Sequence, residues 1–267
     1  MSTDFSANIE RFSGFAGLYD DYRPKPPTVI VDILTQLAQI ARPCLVVDLG
    51  CGTGLSTRLW IGRAEEVVGI DPSDDMRREA EQRTQVAHVR YQAGLSTKTK
   101  LAEGCADIVT CSQSLHWMEP EGTFAEVARI LRPGGVFAAY DCDWPPTLHW
   151  KAEAAYMEVM RRATAIDQER GYSPGLKAWR KDQHLERMQA SGHFRYVKEI
   201  TLHDAEPGNA ERLVGLAMSQ GQVATLLKNG LSEAEIGLDK LREIATQTLG
   251  EKMSSWYFSY RVRLGIK

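Results

Sequence analysis

No stretch of this sequence approaches the roughly 18 consecutive apolar residues that a membrane-spanning helix needs. None carries the unbroken run of like charges that marks an interaction tail. With 32 Lys and Arg against 35 Asp and Glu, the formal charge is −3, so the electrostatic footprint expected of a protein that grips nucleic acid or anionic lipid is missing. A Cys-x-x-Cys pair is missing too. The five cysteines, Cys44, Cys51, Cys105, Cys111 and Cys142, are odd in number and scattered, which argues against a disulfide framework or a zinc site and suits a reducing compartment. The opening MSTDFSANIERFSG has neither the basic stretch nor the apolar stretch of a secretory signal. The expectation is a cytoplasmic protein, monomer or homodimer, with no metal, no membrane and no nucleic-acid partner.

What is present suffices for a packed core: 267 residues at 43% hydrophobic content allow one generous domain or a domain with a large insertion. Through the first half, strand-like runs at 45–48, 67–71, 89–92, 108–111 and 136–140 alternate with helical patterns, which predicts parallel strands joined by helical crossovers. Residues 119–131 place Phe124, Val127, Ala128 and Leu131 on one helical face, and RPGG at 132–135 ends that helix. An amphipathic helix over 26–43 is fenced by prolines. After Tyr140 the pattern changes. Helices are expected over 151–167, 182–191 and 209–228, and from the capping box Ser232-x-x-Glu235 to about residue 249; strands at 194–203 and 254–265 read as an antiparallel pair. The domain reading is a lid segment and first helix at 1–43, a nucleotide-binding core at 44–142, a helical insertion at 143–193, and closing strands at 194–267 with cap helices inserted at 209–249.

The first strand runs into VVDLGCGTGLS, where Gly50, Gly52 and Gly54 spend backbone freedom that only a bend or a close approach explains. A strand leading through such a turn into a helix offers unpaired N–H groups and a helix dipole to a ligand. At the end of the next strand stands Asp71, about 20 residues on, where an acid accepts hydrogen bonds from ribose hydroxyls in a doubly wound sheet. Spacing separates the two nucleotide chemistries that fit. Dinucleotide sites use G-x-G-x-x-G, whereas this loop is G-x-G-x-G with Asp48 just ahead of it. An acid there repels pyrophosphate but suits the ammonium group of S-adenosylmethionine.

Taken in order, VVDLGCGTG, VVGIDPSDDM, ADIVTCSQSLHWM and EVARILRPGGVFAAYD resemble a class I, seven-stranded S-adenosylmethionine-dependent methyltransferase of the small-molecule type. YDDYRPKPP and LHWM further resemble trans-aconitate methyltransferase-like proteins. The resemblance implies a Rossmann-like α/β sheet, mostly parallel with a C-terminal antiparallel hairpin and a helical cap, and S-adenosylhomocysteine as the product. It implies Asp48, Gly50, Cys51, Gly52 and Gly54 around the methionine moiety and Asp71 at the ribose. Pro72 and Met76 would meet the adenine, with Leu95 and Ser96 at the third strand. Ser112 and Gln113 would border the sulfonium, and Tyr22 and Arg23 would come from an N-terminal lid. Leu95 departs from the family pattern, which often has an Asp there.

For the acceptor, Tyr19, Trp117, Asp141 and Trp144 are candidate lining residues, and His116 is the placed base if the acceptor must lose a proton. Each has a structural alternative: a packed helix for Tyr19 and Tyr22, a proline-fixed connection for Asp141 and Trp144, and a hydrogen-bonded strand-end residue for His116. The expected acceptor is a small organic molecule, a carboxylate first, which would need no base, only holders such as Arg161, Arg162 or Arg180. Two other classes remain as alternatives, an NAD-dependent dehydrogenase on a similar sheet and a cofactor-binding sensor or partner protein without turnover.

Overall fold

The computed structural model describes residues 6–11 and 14–267, so the opening stretch read for a targeting signal lies partly outside the described residues. In chain order the elements are α1 (Ser6–Glu10), α2 (Ala16–Tyr22), α3 (Val29–Leu37), β1 (Leu45–Leu49), β2 (Glu66–Asp71), α4 (Asp74–Arg83) and β3 (Val89–Ala93). There follow β4 (Ala106–Ser112), α5 (Pro120–Ile130), β5 (Leu131–Cys142), α6 (Trp150–Arg170) and α7 (His184–Ala190). The chain ends with β6 (Tyr196–Gly208), α8 (Ala210–Met218), α9 (Gly221–Lys228), α10 (Glu233–Ile236), α11 (Leu238–Thr248) and β7 (Ser254–Ile266). Among the described residues no helix is long and apolar enough to cross a membrane.

Two compact units are built from interleaved segments. The first comprises Lys25–Cys142, Lys177–Leu202 and Tyr260–Lys267; the second comprises the described residues before Lys25, Asp143–Leu176 and His203–Ser259.

The sheet order is β3-β2-β1-β4-β5-β7-β6, a mixed seven-stranded sheet whose first five strands lie in the first unit, with β6 and β7 each divided at the unit boundary. β1 pairs in parallel with both β2 and β4, and β5 pairs antiparallel with β7. Strands buried on both faces read as continuous apolar runs, which is why Val46, Val47, Val67, Val68, Ile108 and Val109 are wholly enclosed. Because the chain leaves β1 toward β2 and β3 and returns to lay β4 on the other side, the loops after β1 and β4 flank the crevice where open α/β sheets bind ligands. On the predicted face of α5, Phe124, Val127 and Ala128 are buried, as is Leu131, which the structure makes the first residue of β5 instead of the last of the helix. Phe124 meets Phe137 of β5 edge-on at 6.2 Å, and Phe137 stacks on Phe194 at 5.7 Å. Glu119 starts α5 by accepting from the N–H groups of Glu121 and Gly122; Pro133 and the left-handed Gly134 (φ 76°) then forbid its continuation.

The second unit is mainly helical. α6 buries Ala152, Tyr156, Val159 and Ala163 and packs on α9 and α11. Two expected helices are each divided. The one predicted over 209–228 breaks at Ser219 and Gln220 into α8 and α9, where the Ser219 hydroxyl donates to the Leu216 carbonyl. The one starting at the Ser232 and Glu235 capping box breaks at Gly237 (φ 91°), whose left-handed backbone ends α10 and opens α11. The helix expected over 26–43 is shorter, because Gln39 turns left-handed (φ 54°) just beyond it.

Candidate cofactor and catalytic site

Gly50, Gly52 and Gly54 all have positive φ, at 62°, 53° and 86°. Their surroundings differ. A Cβ on Gly50 would lie 2.6 Å from Cε of Met118 and 2.7 Å from Cβ of Ser114, and one on Gly54 would strike the Tyr91 hydroxyl. A Cβ on Gly52 would meet nothing within 4 Å. Gly50 and Gly54 are therefore required by their neighbours, and Gly52 presents the open face of the loop. The expectation of a row of unpaired N–H groups is corrected by the hydrogen bonds. Gly50 and Cys51 donate to the Ile70 carbonyl (2.7 and 3.2 Å), Gly52 to Oδ2 of Asp71 (3.0 Å) and Gly54 to the Cys51 carbonyl (2.9 Å). The helix expected after the loop is corrected as well: only a 3-10 turn, Thr57–Trp60, follows, too short for an appreciable macrodipole. Polar capacity survives at Thr53, a residue the motif reading passed over, whose Oγ1 is buried without a hydrogen-bond partner among the described residues. An open glycine face beside an orphaned hydroxyl fits a polar ligand laid along the loop.

Asp48, wholly enclosed, accepts from Thr57 Oγ1 and Thr110 Oγ1, each at 2.7 Å. Its carboxyl has no surface for direct contact with an ammonium group and instead fastens the loop to β4. Burial pushes its pKa up to about 6, against the hydrogen bonds of the threonines. Ser56, also in the loop, bonds to the Tyr140 hydroxyl at the far side of β4. Burial pushes up the Cys51 thiol, which Asp71 and Asp48 reinforce, so this cysteine is inert packing.

Asp71 uses one oxygen for Gly52 and the other for the Ser73 N–H (2.8 Å), while Arg77 donates to its main-chain carbonyl. Each carboxylate oxygen keeps a second lone pair for a hydroxyl donor. Burial raises its pKa, and the two N–H bonds act against that. Pro72 follows it, half-buried, and Met76 is buried in the first turn of α4, which Ser73 caps. Leu95 is 41% exposed, and the Ser96 hydroxyl pairs with Thr123 at 2.8 Å.

Beyond β4 the chain is held tightly. Ser112 is half-buried at the strand end. Gln113 has φ 54°, unusual for a residue with a side chain, and its N–H donates to the Tyr140 carbonyl (2.9 Å) while Lys181 reaches its Oε1 (3.2 Å). Ser114 donates to the Leu49 carbonyl (2.9 Å), which seats the following turn against the glycine loop. That turn carries His116 and Trp117, whose rings lie 4.7 Å apart. Nδ1 of His116 is 3.6 Å from Oδ1 of Asp141. Asp141 also meets Lys181 Nζ (3.0 Å) and Arg263 Nη1 (2.9 Å), and Arg263 reaches Glu199 (2.7 Å). Although burial acts to raise the Asp141 pKa, His116 and Lys181 more than offset it and hold the carboxyl well below the usual range. Asp141 is thus an enclosed, ionised hub and not the open lining residue expected of it. His184, the first residue of the neighbouring α7, is kept neutral: burial lowers its pKa to about 4.

Sequence reasoning missed Lys181, His184 and Arg263. One signal was available, since a carboxylate near the end of a buried strand needs a cation and the strand expected at 254–265, which the sequence pairs with 194–203, carries Arg261 and Arg263. Arg263, opposite Ala139 in the register, reaches Asp141 diagonally.

Apart from Arg180, the remaining candidates belong to the helical unit. Arg23 lies over Tyr19 (4.7 Å) and Trp144 (5.1 Å) and donates to Ser219 Oγ (3.0 Å), the Ser219 carbonyl (2.9 Å) and Gln220 Oε1 (2.9 Å). Its guanidinium staples the α8–α9 junction. Tyr22 packs against Gly215 of α8, which has no room for a side chain. Met218 lines a cavity of about 590 Å³ with Phe15, Leu18 and Leu227. Of the arginines considered for an acidic acceptor, Arg161 of this unit pairs with Glu158, and Arg180, which belongs to the other unit, pairs with Asp182, each of them exposed.

Residues 47–139 match the family model described as "Methyltransferase domain". An uncharacterized methyltransferase of Mycobacterium bovis is 35% identical over 124 residues, which cover 46% of this chain and 49% of that protein. A malonyl-[acyl-carrier protein] O-methyltransferase of Pectobacterium atrosepticum is 33% identical over 133 residues, covering 49% and 51%. The aligned segments thus span about half the length of these curated relatives. Among solved structures, a candidate type II methyltransferase from Anaeromyxobacter dehalogenans superposes with a TM-score of 0.66 at 19% identity, covering 92% of this chain and 98% of the other. The YcgJ protein of Bacillus subtilis superposes at 0.53 with 18% identity, covering 89% and 97%. Both share the fold.

Proposed function

The chain carries a class I, seven-stranded S-adenosylmethionine-dependent methyltransferase domain, and from that premise we propose that it transfers a methyl group to a small organic molecule in the cytoplasm, as a monomer or homodimer. The observation that carries the cofactor assignment is the loop tied by Asp71 through the Gly52 N–H, with an open face at Gly52 and an orphaned hydroxyl at Thr53. In this reading the loop from Gly50 to Gly54 holds the methionine portion and the spare lone pairs of Asp71 take the ribose. Pro72, Met76, Leu95 and Ser96 border the adenine, and Ser112 and Gln113 border the sulfonium. The bound cofactor supplies an electrophilic methyl group, its sulfur keeping the bonding pair. The chain's own contribution is to position the acceptor and, through His116, to receive a proton.

That makes a protic acceptor, a hydroxyl, an amine or an acidic C–H, the first reading, ahead of the carboxylate that the sequence placed first. A carboxylate acceptor is the second, favoured by the malonyl-carrier O-methyltransferase among the relatives. Titration calorimetry with S-adenosylhomocysteine tests the cofactor. Wild type should bind, and Asp71→Ala should bind at least about 10-fold more weakly, one lost charge-assisted hydrogen bond being worth that much. Failure of the wild type to bind overturns the assignment, and unchanged affinity in the variant removes Asp71 from it. A metabolite extract incubated with methyl-labelled S-adenosylmethionine separates the acceptors, because a methyl ester is cleaved by mild alkali and an ether or C-methyl product is not. Tight binding without any labelled product would favour a sensor or partner role.

A further inference from the structure

We propose that Asp141 is a positioning residue for His116, fixing the imidazole with its proton on Nδ1 so that Nε2 receives the proton released by the methyl acceptor. The proposal rests on the methyltransferase reading only for the reaction that the pair serves.

The geometry is that of a base oriented by a buried carboxylate. Asp141 ends β5 almost fully enclosed, and His116 presents Nδ1 to it at 3.6 Å, longer than an ordinary hydrogen bond but of the kind that tightens when a catalytic site fills. The backbone around His116 is fixed independently of that contact. Its carbonyl accepts from the Trp179 N–H at 2.8 Å, and two residues earlier Ser114 is bonded to Leu49 at the root of the glycine loop. A base one short turn from the cofactor loop is where a proton acceptor for methyl transfer belongs. As the proton moves to Nε2, the electron pair of the acceptor's broken X–H bond forms the X–CH3 bond, and the pair of the broken S–CH3 bond stays on sulfur. Asp141 then faces an imidazolium.

The charged and titratable groups facing this pair come from several elements: the cations Lys181, from the turn before α7, and Arg263, from β7, and the neutral His184 from α7. Lys181 competes with His116 for the same oxygen, Oδ1, whereas Arg263 holds Oδ2. Lys181 therefore weakens the pull of Asp141 on His116, and its removal should strengthen that pull.

The test is nitrogen NMR of the protein labelled at its six histidines, with His116→Gln identifying the signal. In the wild type above neutral pH, His116 should be the Nδ1–H tautomer, which free imidazole disfavours. Asp141→Ala should return it to Nε2–H and lower its apparent pKa by about one unit. Lys181→Met, at a half-exposed side chain, should raise that pKa by about one unit while leaving the tautomer in place. A merely space-filling carboxylate would not set the tautomer, so an Nε2–H His116 in the wild type overturns the proposal. If Asp141→Ala fails to fold, Lys181→Met decides, and an unmoved His116 titration there also overturns it. S-adenosylhomocysteine binding in the same samples keeps the two readings apart. Lost binding with the tautomer intact sinks the methyltransferase reading, and intact binding with the wrong tautomer sinks this one.

Discussion

Asp48→Asn should make the protein's stability less dependent on pH, by an amount the structure supplies. The carboxyl is wholly buried between Thr57 and Thr110, and burial moves its pKa from 3.8 to about 6. Because the folded value lies above the unfolded one, the native state holds the proton more tightly. Stability from this group is therefore fully present below the unfolded pKa and is lost as pH rises toward the folded pKa, each pH unit in between being worth about 1.4 kcal/mol. Across the whole interval the loss is about 3 kcal/mol, and from about pH 4.5 to about pH 8 it is about 2 kcal/mol. Asparagine cannot ionise, keeps the shape and still offers the threonine hydroxyls a hydrogen-bonding partner. Urea unfolding of both proteins at these two pH values measures the effect, and the stability of the variant relative to wild type should improve by about 2 kcal/mol at the higher pH. A difference that stays constant to within about 0.5 kcal/mol, the usual scatter for a neutral change, would refute the assignment of a buried, reluctantly ionised carboxylate under the loop.

The glycines of the loop should respond differently to one methyl group. Gly54→Ala, which drives a Cβ into Tyr91, should cost about 1–3 kcal/mol by thermal or urea unfolding. Gly52→Ala should cost only about 1 kcal/mol, the strain of its positive φ, yet weaken S-adenosylhomocysteine at least about 10-fold in calorimetry, because its open face is the one a ligand would use. Phe137→Ala removes the ring shared by Phe124 and Phe194 and should cost about 3–5 kcal/mol in urea unfolding, with equal loss wherever the transition is monitored in the sheet.

Much of the fold was legible because its signals are local. Continuous apolar runs announce strands buried on both faces, and the period of Phe124, Val127, Ala128 and Leu131 announces the face α5 lays on the sheet. Glycine spacing and Asp71 could be read because main-chain geometry and strand-end placement are written within a short stretch. Helix breaks at Ser219 and Gly237 were less visible, since a continuous apolar stripe runs across both and only the caps decide where a helix stops.

By itself the sequence determined the strand and helix grammar, the bend after β1 and the acid that follows it, all set by conformational preference and hydrophobic period over a few residues. Only the tertiary structure decided what those groups do. It turned the loop N–H groups inward, enclosed Asp48 between threonines on two elements, tied Arg23 to the α8–α9 junction and drew Asp141 together with His116, Lys181 and Arg263 from across the chain. Hydrogen bonds and charge pairs act over a few ångströms in space and are blind to separation along the chain, so no reading of adjacent residues could have assigned them.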